Sequence, residues 1–167
     1  LPVATTMMGK GAVDEVPPLS LGVVGYVMGR QASSYAYRAM LEHADLVFLI
    51  GNRTNQNGTD NWSIFPRGAR FLHLDIDGQE VGRNYEAERL VGDARLTLQA
   101  LNGALEKSDL SRRAAARGAL VQEVEAGRKA FAVEVAPLVG SDAAPIRPER
   151  VMAELESRMT PESILVA

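Results

Sequence analysis

Three apolar stretches in this chain each stop at a glycine or an aspartate: "LVFLI" before Gly51, "FLHLDI" before Asp77-Gly78, and "RLV" before Gly92-Asp93. They are near-continuous rather than alternating, which is the pattern of strands covered on both faces, as parallel sheets require. Polar loops and segments of helical periodicity separate them. Parallel neighbours need crossover connections, and those are right-handed, so the arrangement predicts an α/β fold with its loops gathered at the carboxyl ends of the strands.

The pattern predicts a first strand over Pro2 to Thr6, then a Pro- and Gly-rich loop, "DEVPPLSLGVVGYVMG". Ser33 and Ser34 are read as caps of a helix to Glu42, with Tyr37, Met40, Leu41 and Ala44 on one face. Strands follow at Asp45 to Ile50, Phe71 to Ile76 and Arg89 to Val91. Asp93 suits the N-cap of a helix from Ala94 to Leu105. A long helix from Leu110 to Leu138 carries Leu120, Val121, Val124, Phe131, Val135 and Leu138 as its stripe. Residues 139–148 have linker composition, Pro148 opens a last helix, and Ile164 to Val166 reads as the start of a further strand. The abrupt ends, "LPVATT" and "SILVA", give the expectation that this is a piece of a longer protein.

At 167 residues with 46% hydrophobic content, one domain with a real core is expected, together with an attached segment. The net charge is −3 and the basic residues are scattered, which disfavours nucleic acid as a partner. No apolar run reaches the roughly 20 residues a membrane-spanning helix needs, and no membrane partner is expected. Cysteine is absent, which excludes thiolate chemistry and Cys-ligated zinc and fits a reducing, cytoplasmic setting.

Four polar clusters fall at predicted strand ends: Thr5, Thr6, Gly9 and Lys10; Gly51, Asn52 and Arg53; Asp75, Ile76 and Asp77; Gly92 and Asp93. In an open α/β sheet, ligands bind beyond those ends. Glycines let main chain approach phosphates, Lys10 or Arg53 can neutralise them, and a strand-end carboxylate accepts ribose hydroxyls. Asp77-Gly78 and Gly92-Asp93 fit plain turn and capping roles equally well. His73 reads as a hydrogen-bonded core residue, His43 as a helix-end residue, and Trp62 as a loop anchor or a stacking platform. Complete dinucleotide and P-loop motifs are absent: "GKGAVD" stops at two glycines, and Ala4 stands where a P-loop needs glycine. No nucleophile elbow or zinc-protease motif appears either, so no catalytic residue is assigned.

The succession "TTMMGKGAVDEVPPLSLGVVG", "ADLVFLIGNR", "FLHLDIDGQEVGRN", "LVGDARLTLQAL" resembles the central domain of thiamine-diphosphate-dependent enzymes of the acetolactate synthase type, over residues 1–105. The resemblance implies a six-stranded, three-layer, Rossmann-like (DHS-type) parallel sheet flanked by helices, lacking its N-terminal edge. It makes residues 1–138 the central domain, and residues 139–167 a linker with the first helix and strand of the diphosphate-binding domain. It further implies a parent that decarboxylates or ligates 2-oxo acids with thiamine diphosphate and Mg2+ held outside this segment, in a homo-oligomer. FAD, an ADP-like moiety or coenzyme A would bind at Thr6, Gly9, Lys10, Gly51 to Arg53, Asp75 to Asp77 and Gly92-Asp93. Thr54 and Asn55 replace the aromatic and acid usual in FAD-binding members, which leaves the ligand open. A stand-alone nucleotide-binding or interaction module is the alternative. A sirtuin-like deacylase is disfavoured, because zinc cysteines are absent.

Overall fold

A computed structural model describes residues 1–165. Its contacts divide it within one helix into two compact units, Leu1–Gly127 and Arg128–Ala167.

The first unit contains five strands among the described residues: β1 (Val3–Thr5), β2 (Ser20–Val23), β3 (Leu46–Ile50), β4 (Arg70–Asp75) and β5 (Glu88–Val91). All pairings are parallel. They form a two-stranded ladder, β1-β2, and a three-stranded ladder, β3-β4-β5. The architecture is the expected one of parallel sheets flanked by helices. The backbone joins it as two ladders, however, not as one continuous sheet.

β2 lies inside the Pro- and Gly-rich segment whose composition predicts loop. Pro17 and Pro18 precede it, Gly22 inside it has φ +71°, and its register with β1 is irregular. Proline and glycine punctuate a strand interior only where pairing is short or distorted. Burial nonetheless makes this segment structural, because Ser20 and Leu21 are enclosed.

Ser34 also departs from expectation. It precedes a 3-10 turn, Tyr35–Tyr37, and makes no capping bond with its side chain. Helix α1 follows only at Arg38–Glu42. The predicted apolar face survives this change, because Tyr37 is buried and Met40 and Leu41 pack beside it.

Asp93 caps α2 (Ala94–Leu105) as predicted, its Oδ1 accepting from Leu96 N at 2.9 Å. Helix α3 spans Ser111–Val139. Within the first unit its Val124 is fully buried among Leu19, Leu21 and Tyr37, with Leu120 and Val121 alongside. The Tyr37 hydroxyl donates to Val124 O at 3.1 Å, so the contact has a polar lock inside an apolar surround. A second cluster holds Val24, Met28 and Ile64. Ala4 and Leu41 touch both clusters, which makes the core continuous beneath β1.

In the second unit, Pro148 opens α4 (Pro148–Glu156) at its first turn, where a missing N–H costs nothing. Ion pairs from Arg150 and Arg158 to Glu154 line its surface. Ile164 and Leu165 form no strand, and Val166 of that predicted strand lies outside the described residues. Among the described residues no helix is long and apolar enough to cross a membrane.

Candidate functional site

Parallel pairing brings the tips of β3, β4 and β5 together. Ile50 stands beside Leu74, and Asp75 beside Val91. Gly51 N–H then donates to Leu74 O at 2.8 Å and Gly92 N–H to Asp75 O at 3.0 Å, extending both ladders by one bond. Gly51 to Arg53, Asp75 to Asp77 and Gly92-Asp93 therefore lie side by side along one edge.

The fourth cluster reaches that edge through the long polar loop that leaves β3. Asn57 O accepts from Tyr26 N–H at 2.8 Å, just past the tip of β2. A Cβ on Gly58 would stand 3.1 Å from the Thr6 methyl, just past the tip of β1. The carboxyl ends of both ladders thus face the same loop. A shallow groove lined by Leu1, Val3, Pro18, Leu19 and Arg117 lies at the start of β1 and β2, away from the tips.

Most of the predicted site residues also have local duties. Asp75 Oδ1 accepts from Asp77 N–H, and Asp77 Oδ1 from Gln79 N–H, each at 2.9 Å. Thr6 Oγ1 accepts from Gly9 N–H at 3.2 Å and Asn52 Oδ1 from Thr54 N–H at 2.7 Å. These are the turn and cap bonds that short polar side chains favour. Lys10 does not stand without a partner, since its Nζ donates to both Glu15 oxygens at 2.8 and 2.9 Å in an exposed pair. Nor do Gly51 and Gly92 offer N–H groups to a phosphate, because the sheet uses them. Gly51 is required for another reason, its φ of +59° at the sharp turn out of β3.

What faces outward along the edge is the Arg53 side chain, the strand-end carboxylates, and apolar surface from Ile76 and Val91, which are 74% and 62% exposed. A guanidinium, carboxylates and an apolar shelf are the functional groups that phosphate, ribose and a flat base call for.

The loop is held by an unusual number of fixings. Thr54, Asp60, Asn61 and Trp62 all have positive φ, between 49° and 59°. Non-glycine residues in that region cost energy and persist where their surroundings over-determine them. The surroundings here are visible. Arg38 bonds Asp60 at 2.7 Å, a contact that pushes the Arg38 pKa up further. Trp62 Nε1–H donates to Thr54 O at 2.9 Å, so the lone Trp anchors the loop, half exposed. Asn55 Oδ1 accepts from Gly58 N–H, and Thr59 Oγ1 donates to Asn55 O. Beneath the loop, Phe71 stacks on Tyr85, and Phe65 meets both edge-on. Burial raises the Tyr85 pKa, partly offset by neighbouring Thr59.

Two residues to which the sequence pattern gives no site role, His73 and Asn84, complete the edge. His73 is buried in β4, and its Nδ1 accepts from Gly82 N–H at 3.0 Å. Asn84, two residues on, donates through Nδ2 to Thr54 O and Thr54 Oγ1. Neither contact has a local sequence signal beyond "GRN" following the turn.

A family model described as "Thiamine pyrophosphate enzyme, central domain" matches residues 1–101. The chain belongs to that family. Among curated relatives of this thiamine pyrophosphate enzyme domain, "Acetolactate synthase" of Arthrospira platensis is 40% identical across 59% of the chain and 17% of its own length. "Probable acetolactate synthase large subunit" of Methanococcus aeolicus is 31% identical over 93% of the chain and 25% of its own length. "Acetolactate synthase large subunit" of Parasynechococcus marenigrum is 30% identical over 99% and 25%. The chain thus spans a quarter or less of these relatives. Among the described residues no group of three His, Cys, Asp or Glu is arranged to hold a metal ion.

Proposed function

We propose that residues 1–138 are the central domain of a thiamine-diphosphate- and Mg2+-dependent enzyme acting on 2-oxo acids, a decarboxylase or carboligase of the acetolactate synthase kind. Residues 139–167 lead into its next domain, and the whole works as a cytoplasmic homo-oligomer. Thiamine diphosphate supplies the carbanion chemistry in the parent; this domain contributes scaffold and a ligand edge and is inactive alone.

The edge is proposed to hold an ADP-type ligand, either the free nucleotide or the ADP moiety of coenzyme A. The alignment of Gly51 to Arg53, Asp75 to Asp77 and Gly92-Asp93 through the β3-β4-β5 register carries this reading. In it, Arg53 pairs with phosphate, Asp75 or Asp77 accepts from ribose hydroxyls, and the base lies on Ile76 and Val91. FAD would need the Thr6, Gly9 and Lys10 cluster as well. There Gly58 sits on Thr6 and Glu15 holds Lys10, which favours the shorter ligand.

Thermal unfolding with ADP, coenzyme A, FAD and NAD tests this. ADP and coenzyme A at a hundredfold excess over their dissociation constants should add about 2.7 kcal/mol, and FAD should not exceed them. A larger effect from FAD would return the first cluster to the site. No effect from any of them would leave a scaffold domain without a ligand.

A further inference from the structure

We infer that Asn84 is a positioning residue that holds Arg53 in register with the β4 tip; this rests on the reading of that edge as a nucleotide site. Asn84 Nδ2 lies 3.1 Å from Thr54 O, 2.9 Å from Thr54 Oγ1 and 3.5 Å from Arg53 O. One amide group thereby addresses the carbonyl of Arg53 and that of the residue after it. Thr54 is 1% exposed, β-branched and at φ +50°, a conformation that needs outside support. From within the loop it already receives Trp62 Nε1–H on its carbonyl, gives its own N–H to Asn52, and gives its hydroxyl to Arg53 O. Asn84 adds a hold from a different strand connection.

That connection is itself fixed to β4. Gly82 N–H binds His73 Nδ1, and Val81 between the strand tip and Asn84 is fully buried. Gly82 has φ +74°, and a Cβ there would come within 3.0 Å of the Arg89 guanidinium, so the turn is packed against β5 too. The segment that begins at Asp75 therefore ends in the clamp on Thr54. The carboxylates and the guanidinium are set by one bracket rather than by two independent loops. Rigid placement of this kind raises affinity by lowering the ordering cost of the cation.

The test compares wild type, Asn84→Ala, Arg53→Ala and the double variant for ADP and for adenosine by calorimetry, alongside limited trypsin digestion. Asn84→Ala should lose ADP affinity by on the order of tenfold, the effect of one charge-assisted contact, with adenosine unchanged. The double variant should bind ADP no more weakly than Arg53→Ala. Trypsin should cut after Arg53 on the order of tenfold faster in Asn84→Ala, because the bond to Thr54 is no longer held shut. Asn84→Asp keeps the size but removes the donor, and it decides the matter should alanine disturb the turn. An unchanged preference for ADP over adenosine overturns the positioning role even if stability falls. Absence of ADP binding by wild type overturns the site reading and this role together, and the digestion result then describes only a loop fixing.

Discussion

Replacing Gly25 with alanine is expected to destabilise the first unit by about 3 kcal/mol, as backbone strain and steric conflict add. The position has φ +109°, which an L side chain rarely adopts. The added Cβ would also overlap Asn57 O and stand 3.1 Å from the Gly58 backbone. Both neighbours are main chain, so no rotamer change relieves the overlap. The loop would have to lift, breaking the Tyr26 N–H to Asn57 O bond and the cover over Thr6. Urea unfolding gives the size of the loss. The account would be wrong if Gly25→Ala matched wild type within about 0.5 kcal/mol, the range of unremarkable surface changes.

Ile64→Ala should cost a similar amount, about 2 to 5 kcal/mol, for a different reason. Ile64 is fully buried beside Val24 and Met28, with Phe65 and Leu41 packed on the cluster. Truncation leaves a cavity that these side chains close only in part. Ile64→Val should lose about 0.5 to 1.5 kcal/mol, and this graded pair separates packing from any special property of the site. Because Ile64 anchors the long loop just after residues 52–62 and Gly25 bears on Asn57 and Gly58 within them, both variants should also speed hydrogen exchange at residues 52–62. A full stability loss with unchanged exchange there would show that the loop is held independently of the core.

The parts of the fold legible in sequence were those governed by local rules. Apolar runs of strand length located β3, β4 and β5, and a capping aspartate fixed the start of α2 at Ala94. Pro148 marked α4 in the same way. β2 escaped because its prolines and glycine are loop signals, and only pairing with β1 overrides them. The strand-end clusters were legible as positions, since alternating elements place strand tips together in any such sheet. Their chemistry was less so. Lys10 is a case in point, for its ion pair is made to Glu15, an opposite charge five residues on in a glycine-rich turn. Gly51 and Gly92 looked like open N–H groups, and the ladder claims both. Asn84 was invisible because its role depends on two loops from different strands closing on each other. Thr54 and Asn55, noted only as departures from a family pattern, prove to be how this loop folds back on itself.

The most direct measurement is an amide NMR titration of the chain with ADP. Resonances of residues 51–53, 75–77 and 92–93 should move together and fit one dissociation constant, with little change around the groove at Leu1, Pro18 and Arg117. Shifts confined to that groove, or none at all at millimolar ADP, would contradict the claim that these strand tips form one ligand edge.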